Sequence, residues 1–189
     1  MEFPQIILLN GASSSGKTTL AQALRMKLAL PYFYYSSDQL VDAGVLPEVD
    51  RSTRDTLCSW NIIRPHFFSG FHRSIAAFAM ENLLLVEHVV EFQEWLDELV
   101  SLLSPFRVFY VGVFCPVEEL ERREMKRGNR KKGEGRSHIL DGIHTWSDYD
   151  VTVDTFERTP EENARRIVEA ISQSQNQKTV FEKLSENKK

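Results

Sequence analysis

Residues 5–18 read Gln5-Ile6-Ile7-Leu8-Leu9-Asn10-Gly11-Ala12-Ser13-Ser14-Ser15-Gly16-Lys17-Thr18. From Gly11 onward this is G-x-x-x-x-G-K-[ST], a loop whose inward-facing amides cradle phosphate. Gly11 and Gly16 let the backbone turn where a side chain would clash. Lys17 is a point charge for terminal phosphates, and the Thr18 hydroxyl suits Mg2+, a hard cation that takes oxygen ligands. The apolar run before the loop predicts a buried parallel strand. After it, Leu20, Ala23, Leu24 and Leu28 share a helical face, and Pro31 lies beyond the helix. Strand, loop and helix in this order aim a helix N-terminus at bound phosphate. Gly11, Ala12, Ser13, Ser14, Ser15, Gly16, Lys17, Thr18 and Thr19 are therefore the candidate nucleotide site.

The chain has 189 residues, 42% of them hydrophobic, which suits one ordinary domain with a real core. Its net charge of −4 gives no general signal for nucleic-acid binding. Cys58 and Cys115 lie far apart without metal-ligand spacing, which fits a reducing compartment. No signal peptide is recognisable and no apolar run reaches the roughly 20 residues of a membrane span. The expectation is a cytoplasmic protein with no membrane partner and an oligomeric state the sequence leaves open.

Strand-like runs recur at Tyr32–Ser36, Leu83–Val86, Val108–Phe114 and Tyr149–Asp154, the last more polar and suited to a sheet edge. Helical patterns fall between them: within Trp60–Met80, over Phe92–Leu103, after Pro116, and from Thr159-Pro160-Glu161-Glu162 to about Ser172. Alternating strands and helices predict an α/β fold, a five-stranded parallel sheet flanked by helices, within residues 1–173. Ligands then sit at the carboxyl ends of the strands, near Asn10, Asp38, Glu87, Cys115 and Asp154. Residues 174–189 read as a polar tail, with a short helix at Val180–Leu184 as the competing reading.

Asp38, after the second strand, would face the loop across a cleft, where a kinase needs a base. Alternatively it caps the helix that follows. Glu87, after the third strand, is a candidate for holding Mg2+ or its water, and His88 for contacting substrate; both are also ordinary strand-end residues. Arg122–Arg136 holds eight basic and two acidic residues. With Gly128, Gly133 and Gly135 it reads as an arginine-bearing lid over about 127–143 that clamps a transferring phosphoryl group. A solvated charge run or an RNA patch are the alternatives. The aromatic and histidine stretch 64–73 can line an acceptor pocket or fill a core. His66 and His72, i and i+6, fall on different helical faces and make a poor metal pair.

Several blocks together resemble the chloramphenicol phosphotransferases: Ile6–Thr18, Asp38-Gln39-Leu40-Val41-Asp42-Ala43, Arg123-Glu124, Arg127-Gly128-Asn129-Arg130, and Tyr149–Thr155. They occur in that family's order. The resemblance implies a nucleoside monophosphate kinase-like fold, ATP and Mg2+ as cofactors, and a small-molecule hydroxyl as acceptor. It implies Asp38 as catalytic base alongside Lys17, with Arg127 and Arg130 on the phosphates. Two departures stand out: Glu87-His88 where the family tends to paired aspartates, and a different region 44–82, which shapes the acceptor pocket. A nucleoside, nucleotide or sugar kinase, or a nucleotide-dependent regulatory protein, are the rival readings.

Overall fold

The computed structural model describes residues 3–48, 59–127 and 133–187. Five parallel strands form one sheet, β1 (Ile6–Asn10), β2 (Phe33–Ser36), β3 (Leu84–His88), β4 (Val108–Phe114) and β5 (Val151–Asp154), in the order β2-β3-β1-β4-β5. The order reverses at β1, so the loop after it lies at the switch point where such sheets bind ligands. β1 is central and its four aliphatic residues are fully buried. Successive side chains alternate between faces. Ile6 and Leu8 join one core cluster, and Ile7 and Leu9 the other.

Eight helices appear among the described residues: α1 (Lys17–Arg25), α2 (Ser37–Asp42), α3 (Trp60–Ala79), α4 (Gln93–Leu103), α5 (Val117–Arg127), α6 (Glu134–Leu140), α7 (Pro160–Gln173) and α8 (Val180–Glu186). Leu20, Ala21 and Leu24 of α1 and Ala164, Ile167 and Ile171 of α7 pack on one face of the sheet. Phe71, Ile75 and Ala79 of α3 and Leu96, Leu99 and Leu103 of α4 cover the other. α7 starts at the capping box foreseen at Thr159 and Glu162.

One expectation is corrected. The frayed tail gives way to its alternative: residues 180–186 form α8, and Val180 and Phe181 are buried against Tyr110. Asp150 fastens this helix by accepting the backbone N–H groups of both Tyr110 and Val180.

Candidate active site

The site grows out of the end of β1. Gly11 is needed because a Cβ there would lie 2.5 Å from the Val113 carbonyl oxygen. Gly16 has φ +91°, in the left-handed region. Ser14, at φ 63°, is the one non-glycine residue with positive φ among those described, a cost tolerated at functional loops. Its hydroxyl and that of Ser15 are buried without a hydrogen-bond partner. Lys17 is buried and its Nζ donates to the carbonyls of Gly11 and Ala12 at 2.9 and 2.8 Å. α1 begins with no side-chain cap and no acid in its first turn, so its leading amides face the loop. Orphaned hydroxyls, a desolvated ammonium and an uncapped helix start fit an anionic phosphate chain.

Beside the loop, Thr18 Oγ1 donates to Glu87 Oε1 at 3.0 Å, and the Tyr34 hydroxyl donates to Glu87 Oε2 at 2.5 Å. Burial, and then the Glu87 charge, push the Tyr34 phenol well above its usual range, so it remains a donor. This hydroxyl–carboxylate set is all oxygen and suits Mg2+. No cluster of three or more acid, His or Cys ligands occurs among the described residues.

Asp38 lies two residues beyond Ser36, which pairs with Glu87, which in turn pairs with Leu9 of β1. It is exposed in the first turn of α2. The capping function is taken by Ser36, whose hydroxyl accepts from the Gln39 amide while the Gln39 side chain accepts from the Ser36 amide. Helix start therefore does not require Asp38.

The basic run divides. Arg122 and Arg123 are ion-paired with Glu119 at 2.6 and 2.7 Å, and Arg136 with Glu121 at 2.6 Å. Arg123 also donates to the carbonyl and hydroxyl of Thr155, closing one wall of a cleft lined by Gly16, Thr19, Arg123, Thr155 and Arg158. Arg127 ends α5 with its side chain outside the described set, and Arg130 lies outside the described residues. α6 rests on the phosphate loop: His138 Nδ1 accepts the Ser13 amide and Glu134 accepts the Ser13 hydroxyl. The buried Glu124 carboxylate caps α6 by accepting the Gly133 and Gly135 amides.

On the far side of β3 from α1, His88 is buried against Phe68, Phe71 and Trp95. Its Nε2 lies 2.9 Å from His72 Nε2, and His72 Nδ1 lies 2.7 Å from Glu98. Burial holds both imidazoles below their usual pKa, His88 well below. His72 thus joins a buried histidine chain and is apart from His66. Arg64 pairs with Glu91 and lies over the rings of Phe92 and Trp95. Under the loop, buried Asn10 accepts the Val90 amide and donates to the Ile143 carbonyl and the Tyr149 hydroxyl, which also meets His144.

Sequence reading missed Tyr34, Glu124, His138, His144 and Tyr149 as members of this site. Tyr149 and Glu124 lay in the blocks that carry the family resemblance, His138 within the expected lid and Tyr34 in a strand-like run, but none was given a role in the site. Tyr34, His138 and Tyr149 join it through contacts between residues far apart in the chain.

Comparison with known proteins gives a consistent picture. Residues 4–172 match the family model described as chloramphenicol phosphotransferase-like protein. Two Mycobacterium tuberculosis proteins, each named "Putative O-phosphotransferase", are 30% identical to this chain over 184 residues, covering 88% of it and 81% of their own length. Among solved structures, the M. tuberculosis APS kinase CysC in complex with AMPPNP and APS superposes with a TM-score of 0.65 at 17% identity, covering 91% of this chain and 99% of that one. Shikimate kinase from Acinetobacter baumannii in complex with shikimate gives 0.61 at 15% identity, covering 93% and 96%. The fold is that of the P-loop kinases.

Proposed function

This chain belongs to the chloramphenicol phosphotransferase-like family, and from that premise we propose that it transfers the γ-phosphoryl group of ATP, with Mg2+, to a hydroxyl of a small molecule. The phosphate loop carries the reading. Buried Lys17, the unpartnered Ser14 and Ser15 hydroxyls and the open start of α1 form a cradle that a polyphosphate completes. The nucleotide's remaining part fits the cleft walled by Arg123, Thr155 and Arg158.

Thr18 and Glu87 would hold Mg2+, which when bound neutralises charge on the phosphate oxygens. Lys17 leaves the loop carbonyls to meet the terminal phosphates. Asp38, exposed in the first turn of α2 after the N-cap Ser36, is the proposed acceptor of the proton of the attacking hydroxyl. Arg127 and Arg130 are the residues we would assign to the transferring group on the family resemblance; Arg130 and the Arg127 side chain lie outside the described residues.

Phe68, Phe92 and Trp95, which pack together where α3 meets the start of α4, are candidates for the walls of an acceptor site. Arg64 is matched to Glu91 and Arg73 lies 3.8 Å from Glu98, while Arg51 and Arg54, which would serve an acceptor carrying its own phosphate, lie outside the described residues. Pairing of Arg122, Arg123 and Arg136 with acids of α5 weighs against an RNA patch. Calorimetric titration with ATP is the test. Binding to the wild type, weakened at least tenfold in Lys17→Ala with the fold intact, is expected. Equal ATP affinity in Lys17→Ala would contradict the reading.

A further inference from the structure

Glu87 is gripped from two elements at once. Tyr34 pairs with Leu85 across the β2–β3 ladder, and Glu87, two residues on, projects from the same face. The Tyr34 side chain spans this diagonal to the carboxylate. Its hydroxyl donates to Oε2 at 2.5 Å, while Thr18 at the start of α1 donates to Oε1 at 3.0 Å. A threonine hydroxyl has one proton and two lone pairs. With the proton committed to Oε1, the lone pairs of Thr18 Oγ1 are directed away from the carboxylate. Without the phenol, Glu87 has nothing on Oε2 and can rotate off Thr18.

We propose that Tyr34 is the positioning residue of the cation site: it fixes Glu87 as acceptor of the Thr18 proton, so that the Thr18 oxygen is presented to Mg2+. Tyr34 acts through Glu87 and touches neither phosphate nor acceptor. The inference rests on the Mg2+-nucleotide reading above.

The test is calorimetric binding of a non-hydrolysable ATP analogue in EDTA and over a range of Mg2+ concentrations. The proteins are wild type, Tyr34→Phe, Glu87→Gln, the double variant, and Tyr35→Phe as control, since the Tyr35 hydroxyl pairs with Ser74 instead. Tyr34→Phe is expected to match wild type in EDTA and to need about tenfold more Mg2+ for the metal-dependent gain, the loss of one hydrogen bond to a charged group. The double variant is expected to equal Glu87→Gln alone, because the phenol works only through the carboxylate. Tyr35→Phe should behave as wild type. An unchanged Mg2+ requirement in Tyr34→Phe, or equal weakening with and without metal, overturns the proposal. A wild type whose binding ignores Mg2+ overturns the cation reading itself and this proposal with it.

Discussion

A Cβ on Gly11 would lie 2.5 Å from the Val113 carbonyl oxygen and 2.9 Å from Ser15 Oγ, and the nearer of these is backbone that cannot step aside. Gly11→Ala should therefore cost about 1–3 kcal/mol of stability, as overpacking does. It should also abolish nucleotide binding, because the loop must shift to admit the methyl group. Chemical denaturation and calorimetry on the same preparation check both halves. The loop was legible from sequence because its working residues are contiguous and each is a type with few substitutes. Asp38 was half legible: its position was apparent, and the capping box of Ser36 and Gln39 assigns the N-cap elsewhere, leaving the base role a proposal. Tyr34 was opaque, since its partner lies 53 positions away and a tyrosine in an aromatic-rich strand looks like core.

At the scale of elements, β4 and α7 were readable from patterning and caps, while β2, β3 and β5 differ at their ends by a residue or two. α8 shows where composition misleads. The stretch after 173 is polar and lysine-rich, yet Thr179 and Glu182 form a capping box, and the apolar contacts of the helix with the core come from Val180, Phe181 and the half-buried Leu184. Three apolar positions are too few to establish a period. Thr179→Ala should lower stability by about 1 kcal/mol through the lost cap and leave ATP affinity unchanged. Thermal denaturation alongside nucleotide titration distinguishes a structural element from part of the site. α6 was covered by the expected lid over about 127–143, but its seat on the Ser13 amide depends on His138, a long-range contact with no local pattern.

For the whole molecule, burial of three imidazoles sets an acid limit on stability. His72 and His88 have lowered pKa values, and His144 is pushed down to about 4, by burial first and by Lys17 second. Each titrates near 6.5 when unfolded, so below that pH the unfolded chain binds protons that the native state refuses. Stability should be full above about pH 6.5 and fall as pH drops from there toward 4. Buried Glu91 and Asp150, whose carboxyls are raised, oppose this only nearer the carboxylate range. Tm should hold level down to about pH 6.5, the ordinary imidazole pKa, and decline as pH falls from there toward 4. His144→Gln should flatten the curve, and an unflattened curve would remove His144 from the explanation.

The proposed function requires Asp38 to act beside a phosphate loop loaded with nucleotide. The most direct measurement follows transfer of γ-labelled phosphate from ATP with Mg2+ to a panel of hydroxylated small molecules, by wild type and by Asp38→Asn, with ATP affinity measured for both. The expected result is a labelled product from at least one acceptor, reduced on the order of 10²–10⁴-fold in Asp38→Asn at nearly unchanged ATP affinity. Equal transfer by the two proteins would contradict the assignment of Asp38, and failure of the wild type to bind ATP would contradict the kinase reading as a whole.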